Sequence, residues 1–107
     1  MQVFHIARSG DWEAALAEGS YRMSTLDRTL AEEGFVHCAC REQVAGVRER
    51  YCAGQSGLLV LAVDVDRLGA EVRFEDGGGS GGGELFPHVY GPIEVDAVVS
   101  VTPLEAF

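Results

Sequence analysis

The run LLVLAV at residues 58–63 constrains the fold of this chain more than any other segment. It places apolar side chains, several of them branched, on both faces of an extended segment. A strand of this kind must be covered on both sides, which predicts a central strand of a buried sheet. The segments QVFHIA at 2–7 and FVHCA at 35–39 share this two-sided apolar character and predict two more interior strands.

Two later segments alternate between apolar and polar residues instead. In EVRFED, residues 71–76, Val72 and Phe74 are expected to be buried while the charged residues between and beside them face the other way. The segment IEVDAVVSV, residues 93–101, has one continuous apolar face and predicts the last strand.

Helical spacing of apolar residues is found mainly in the first half of the chain. A short helix is predicted between Asp11, a candidate N-cap, and Gly19, a candidate stop. A regular apolar stripe predicts a second helix over residues 42–52. The stripe in residues 24–34 is thin, so we expect a weak helical turn or a loop there.

This distribution of helices and strands predicts an α+β fold, with a mixed or antiparallel sheet flanked by two or three short helices. We expect a single domain over residues 1–107, because 107 residues suffice for one apolar core. The composition, 47% hydrophobic and 23% charged, belongs to a folded globular protein.

Charge and cysteine content exclude several function classes. The net charge of −9 opposes binding to duplex nucleic acid, and the absence of lysine excludes Schiff-base chemistry. No apolar run is long enough to cross a bilayer, and no signal-like segment opens the chain, so we expect a cytoplasmic protein that does not bind membranes. The three cysteines are expected to be reduced. Oligomeric state is left open.

The glycine-rich run GGGSGGG, residues 77–83, is followed at once by the restrictive segment GELFPHVYG, residues 83–91. We interpret the first as a flexible loop, because neither a helix start nor a phosphate-binding lysine follows it. Pro87 and the later Gly91 predict a stiffened loop that holds His88 and Tyr90 over a small polar cleft.

The three histidines lie in or beside strongly patterned segments, at His5, His37 and His88. A histidine inside a strand costs free energy unless its ring nitrogens find partners. Each could simply bond to a backbone carbonyl and pack, and three imidazoles could also form a metal site. No short histidine spacing supports a metal, so we predict no metal site and favour a shared polar cleft.

Four other residues could act at such a cleft. Glu75 ends an alternating strand, where a carboxylate could stabilise positive charge on a sugar ring. Tyr90 could stack on a planar group, while Arg41 and Arg73 could contact phosphates. The predicted catalytic residues are His5, His37 and Glu75, and the predicted substrate-binding residues are His88, Tyr90, Arg41 and Arg73.

The motifs, in chain order, resemble the family known as domain of unknown function 952. They are FHIA at 4–7, Trp12, GSY at 19–21, GFVHC at 34–38, EQV at 42–44, VRFE at 72–75 and FPHVYG at 86–91. The resemblance covers nearly the whole chain, and the glycine-rich run departs from it. That family is similar to the ADP-ribosyltransferase fold, which implies a split β-sheet and a cleft that binds NAD.

The resemblance implies particular roles for the cleft residues. His5 would hold a ribose hydroxyl, His37 would line the nicotinamide pocket, and Glu75 would orient the transfer. We therefore expect a transferase acting on NAD, as substrate, or on a related nucleotide, with no certain cofactor. Two alternatives stay open: a non-catalytic module that binds a small nucleotide or metabolite, and a metal-dependent hydrolase that uses the three histidines.

Overall fold

The computed structural model describes residues 1–76 and 83–107, in which eight strands and three α-helices are formed. The strands are β1 (Gln2–Arg8), β2 (Ser20–Tyr21), β3 (Val36–His37), β4 (Leu58–Asp64), β5 (Glu71–Asp76), β6 (Leu85–Tyr90), β7 (Ile93–Glu94) and β8 (Val98–Pro103). The helices are α1 (Ser9–Glu18), α2 (Leu30–Glu33) and α3 (Val44–Tyr51). Short 3₁₀ turns cover Arg41–Gln43, Val65–Arg67, Val95–Ala97 and Leu104–Ala106.

The run LLVLAV lies in β4, the central strand of a three-stranded sheet in the order β1-β4-β8. Both of its neighbours pair with it antiparallel. Val60, Leu61 and Val63 are at most 1% exposed, because the two faces of β4 contact two different apolar clusters. The prediction of a central strand with both faces covered is confirmed.

A second three-stranded antiparallel sheet has the order β3-β6-β5. Its central strand is β6, the segment predicted to be a stiffened loop, so that prediction is wrong. The Pro87 carbonyl accepts a hydrogen bond from Cys38 N (3.0 Å), so the backbone groups of Pro87 face the β3 side of the strand and not β5. The N–H that proline lacks would point at Cys38, just beyond the end of the two-residue strand β3, so the proline removes no bond between β6 and β5.

The two sheets meet at an antiparallel bridge between Phe4 and Ala39. Phe4 N donates to Ala39 O at 2.8 Å, and Ala39 N donates to Phe4 O at 2.7 Å. A small third sheet pairs β2 with β7 and carries Tyr21 and Ile93 into the main apolar cluster. The result is an α+β fold with antiparallel sheets and a few short helices, which confirms that part of the prediction.

Burial differs from the sequence prediction in two edge strands, β5 and β8. Phe74 was expected to be buried, but it is 43% exposed because β5 is an edge strand. Residues 93–101 were expected to form one strand with a single apolar face. A 3₁₀ turn at Val95–Ala97 instead divides them into β7 and β8, so Val99 is left 42% exposed.

The segment predicted as a weak turn contains α2, which is fixed by a capping box. Thr29 Oγ1 accepts from Glu32 N (3.2 Å), and the Glu32 side chain accepts from Thr29 N (2.8 Å). Gly34 ends the helix with φ +88°. Asp11, by contrast, does not cap α1, which begins at Ser9. The predicted loop 77–83 lies outside the described residues, apart from Gly83.

Replacing the capping residue should weaken the fold by a modest amount. Thr29→Ala removes the oxygen that accepts from Glu32 N, and we expect the free energy of unfolding to fall by about 1 kcal/mol. Thr29→Ser keeps that oxygen and should stay near the wild-type value. Urea denaturation of the three proteins measures the difference, and equal losses in both variants would contradict the capping role.

Within residues 1–76 and 83–107, no helix is long and apolar enough to span a membrane.

Candidate functional site

Three strands of the second sheet place a group of polar and aromatic side chains on one face. In the ladder, His88 on β6 lies opposite His37 on β3 and opposite Arg73 on β5. Because Cys38 N bonds to Pro87 O, the neighbouring pair of His37 and His88 is a non-hydrogen-bonded pair, in which side chains approach most closely. Their ring centroids are 5.1 Å apart.

Glu75 on β5 links two predicted site residues through one carboxylate oxygen. Its Oε1 accepts from His88 Nδ1 at 2.9 Å and from the Tyr90 hydroxyl. The bond from Tyr90, followed by that from His88, holds the pKa of the Glu75 carboxyl below its usual range. The same carboxylate raises the pKa of Tyr90. Glu75 is therefore ionised and Tyr90 is a neutral hydrogen-bond donor at neutral pH.

His88 is buried, and only one of its two ring nitrogens has a hydrogen-bond partner among the described residues. The residue is 3% exposed, and its ring stacks on Phe35 with centroids 4.2 Å apart and planes inclined by 22°. Because Nδ1–H is donated to Glu75, the lone pair of the ring in its neutral form is on Nε2. Nε2 has no hydrogen-bond partner among the described residues. A buried ring nitrogen without a partner costs free energy.

His37 forms the partly open side of the group. Its side chain is 31% exposed, and its Nε2 lies 3.4 Å from Glu33 Oε1. Burial lowers the pKa of His37, and Glu33 partly opposes that effect. Arg28 also contacts Glu33, at 3.2 Å. At neutral pH the His37 ring is therefore mainly uncharged, with one nitrogen that can donate and one that can accept a hydrogen bond from a ligand.

Arg73 supplies the positive charge of the site. Its guanidinium carbon lies 4.6 Å from the centroid of the Tyr90 ring, a cation–π distance. It also forms an exposed ion pair with Glu71 at 3.0 Å. Arg73 therefore lies beside Tyr90 and remains half exposed, so it could contact an anionic group of a ligand.

His5 has a different environment from the other two histidines. It is 2% exposed; its Nδ1 bonds to the His37 backbone carbonyl (2.6 Å) and its Nε2 to the Tyr21 hydroxyl (2.9 Å). Burial lowers the pKa of His5 to about 4. Both nitrogens are thus occupied inside the core, so the expectation that His5 faces a shared polar cleft is corrected.

Arg41 is also separated from the site. Its guanidinium lies over two aromatic rings, 5.6 Å from the centroid of Phe4 and 4.8 Å from that of Phe107. Both of these rings lie outside the group around His88. Of the two arginines predicted to contact phosphates, only Arg73 therefore lies beside the site.

Two surface cavities in the described part of the chain are lined by residues other than the predicted site residues. The larger, of about 580 Å³, lies between α1 and α2 and includes Ala14, Met23 and Leu30. The smaller, of about 270 Å³, lies beside the end of α3 and includes Cys52. These two cavities are thus separate from the histidine group.

The described residues contain no group of three or more histidine, cysteine, aspartate or glutamate side chains arranged to hold a metal ion.

Burial raises the pKa of the Cys38 thiol, which lies in the main apolar cluster. Cys38 is therefore a small core residue, with little thiolate character.

Two residues of the site were not among those predicted, Glu33 and Phe35. Phe35 contacts the rings of His37 (4.6 Å), His88 (4.2 Å) and Tyr90 (5.3 Å), so it is the central aromatic contact of the group. The alternation in FVHCA directs the side chains of residues 35 and 37 to the same side, so the sequence contains a signal for this contact. Glu33 lies four residues before His37, but a turn at Gly34 separates them, so no helical spacing indicated the contact.

The fold and the site define a small α+β protein with an imidazole–carboxylate–phenol group on one sheet. The chain belongs to the family described as Protein of unknown function (DUF952), which matches residues 6–101. The family resemblance seen in the motifs is confirmed.

Solved structures of protein CC0527 from Caulobacter crescentus are similar to this chain. Its crystal structure is 32% identical, with a TM-score of 0.80, and the match covers 96% of this chain and 85% of that one. Its solution NMR structure is 32% identical, with a TM-score of 0.75, and covers 95% and 83% of the two chains. No curated protein matches this chain.

Proposed function

We propose that this protein is a small transferase of ADP-ribosyltransferase type, acting on NAD or a related nucleotide at the site formed by β3, β5 and β6. The observation that carries the proposal is the His88 ring: Glu75 fixes its Nδ1–H, and its Nε2 is buried with no partner among the described residues. This is the arrangement of an oriented general base whose hydrogen-bond donor is a ligand.

The architecture supports the proposal. The two three-stranded sheets are joined through the bridge between Phe4 and Ala39, which gives a split sheet of the kind that the resemblance implies. The site lies on the half that carries GFVHC and FPHVYG, the two most specific motifs of the resemblance. Fold alone does not define a reaction, so the chemistry rests on the side chains.

The proposed reaction replaces the nicotinamide of NAD by a hydroxyl or water. The attacking oxygen forms a bond to C1′ of the ribose, while the bond from C1′ to the ring nitrogen breaks. The electron pair of that bond stays with the nitrogen, so nicotinamide leaves uncharged. The proton of the attacking hydroxyl passes to His88 Nε2, and the imidazolium formed is stabilised by Glu75 at Nδ1.

Electrostatics favour the same step. Glu75 is ionised, and its negative charge would stabilise the positive charge that develops at C1′. The aromatic rings of Tyr90 and Phe35 offer surfaces for a planar base, and the half-exposed Arg73 would contact a phosphate. His37, partly exposed and mainly neutral, would hold the ribose or the carboxamide.

The experiment is titration calorimetry with NAD, together with an assay of nicotinamide release. We expect the wild type to bind NAD and to be stabilised against thermal unfolding when NAD is in excess. His88→Gln removes the base, and we expect nicotinamide release to fall by about 100-fold. Arg73→Gln should weaken binding by about tenfold, equivalent to about 1.4 kcal/mol.

Arg41→Gln is the matched control for Arg73→Gln. Both variants lose one exposed guanidinium that stacks on an aromatic ring, but Arg41 stacks on Phe4 and Phe107, away from the site. We expect its affinity for NAD to equal that of the wild type. No heat and no thermal protection with the wild type, or equal losses in the two arginine variants, would argue against the proposal.

A non-catalytic binding module is the second candidate. It is favoured by the cavity of about 580 Å³ between α1 and α2, which is lined in part by Ala14, Met23 and Leu30 and lies apart from the histidines. If this candidate is correct, a nucleotide or small metabolite would bind without being consumed. Binding that survives His88→Gln unchanged, with no nicotinamide release, would favour the module over the transferase.

A further inference from the structure

We infer that His5 is a positioning residue, which acts on the site by holding the backbone of His37 and makes no contact with the substrate. The inference rests on the proposed function only in taking His37 as a site residue. It departs from the role that the resemblance implies for a histidine in the first strand, which is to hold a ribose hydroxyl.

The backbone of His37 is held from outside the β6 ladder. Its N–H donates to Ser24 O at 3.1 Å, and its carbonyl accepts from His5 Nδ1 at 2.6 Å. Both groups point away from β6, as expected at a non-hydrogen-bonded pair. Strand β3 has only two residues, so the ladder alone fixes little of it. The His5 side chain supplies the bond that an adjacent strand would normally make.

The hydrogen bonds of His5 also settle its tautomer. A carbonyl can only accept, so Nδ1 carries the proton and donates to His37 O. In the neutral ring Nε2 then accepts from the Tyr21 hydroxyl at 2.9 Å. Tyr21 is 1% exposed, and its ring contacts that of His5 edge-on at 5.0 Å. The ring is therefore fixed at both nitrogens, and neither is available to a ligand.

Fixing the carbonyl of His37 fixes its imidazole relative to two partners. The centroid of the His37 ring lies 5.1 Å from that of the His88 ring. His37 Nε2 lies 3.4 Å from Glu33 Oε1. Both partners act on the titration of His37, since His88 lowers its pKa and Glu33 raises it. A displacement of this strand should therefore change the titration of His37, even though His5 does not touch that imidazole.

Three variants separate positioning from packing. In His5→Asn the side-chain amide N–H replaces the Nδ1–H, whereas His5→Leu has no donor. Val63→Ala makes a cavity in the main apolar cluster and removes none of these hydrogen bonds. The readouts are the pH titration of the His37 imidazole by heteronuclear NMR, NAD affinity by calorimetry, and the thermal midpoint.

We expect His5→Leu to shift the titration of His37 and to weaken NAD binding by about tenfold. His5→Asn should restore both toward the wild type. Val63→Ala should lower the thermal midpoint without changing either. If His5→Leu fails to fold, His5→Gln replaces it. The Gln side chain is longer, so its amide should lie near the Tyr21 hydroxyl and should not donate to the His37 carbonyl.

Two results would overturn the inference. One is a titration of His37 unchanged by loss of the donor, and the other is the same shift in Val63→Ala as in His5→Leu, which would indicate general loosening. The proposed function fails separately: if the wild type does not bind NAD, the NMR comparison still decides whether His5 positions His37.

Discussion

Acidification from about pH 7 to about pH 4.5 is expected to cost the wild-type protein about 2 kcal/mol more stability than it costs the His5→Asn variant. The pKa of His5 falls from 6.5 in the unfolded chain to about 4 in the folded protein, because burial disfavours the charged ring. Below the unfolded value, the unfolded chain binds a proton that the folded protein does not. Stability therefore falls as the pH decreases through this window.

Urea denaturation at the two pH values, with both proteins, isolates the contribution of His5. Carboxylates such as Glu75, whose pKa is lowered in the folded state, also lose their contribution in acid, but they do so in both proteins. His37 adds a contribution of the same sign and is present in both. Equal acid sensitivity of the two proteins would mean that His5 is not held neutral in the core.

Much of the fold could be predicted from hydrophobic pattern alone. The two-sided apolar run became the central strand β4, and Gly19 and Gly34 end helices with positive φ. The error at Phe74 arises because the pattern reports which residues are apolar and not which strand lies at a sheet edge. Phe74 has the alternation of a buried residue, but no strand of the described part of the chain covers the outer side of β5.

The candidate site was predictable in its residue types but not in its geometry. GFVHC and FPHVYG placed His37 and His88 in specific motifs, and the register then brought the two rings together on paired strands. Nothing in the sequence showed that His5, in an equally apolar segment, would direct its ring nitrogens to Tyr21 and a backbone carbonyl. That depends on tertiary contacts between residues far apart in the chain.

The proline in FPHVYG explains the largest misinterpretation. A proline in a short restrictive segment usually indicates a loop, because it removes a ladder hydrogen bond. Here the backbone of Pro87 faces the end of the short strand β3, so the missing N–H removes no bond between β6 and β5. The segment can then be both rigid and central, which places His88 and Tyr90 on the same face of a strand rather than on a loop.

Gly91, which directly follows β6, is expected to tolerate no side chain, and for a reason of space rather than backbone angle. A Cβ added there would lie 2.7 Å from the Cβ of Ala70, closer than real Cβ contacts. Gly91→Ala should therefore lower the free energy of unfolding by about 1–3 kcal/mol, the usual cost of overpacking. Because Tyr90 precedes Gly91, the displacement should also reach the Tyr90–Glu75 hydrogen bond.

The compensating change is Ala70→Gly, which removes the atom that the new methyl group meets. If the clash is the cause, the double variant should be more stable than Gly91→Ala alone, although Ala70→Gly by itself is expected to cost up to about 1 kcal/mol. Thermal and urea denaturation of the four proteins gives the coupling energy. Losses that simply add would show that Gly91 is required for another reason, since two residues in contact this close must couple when the contact is what limits the substitution.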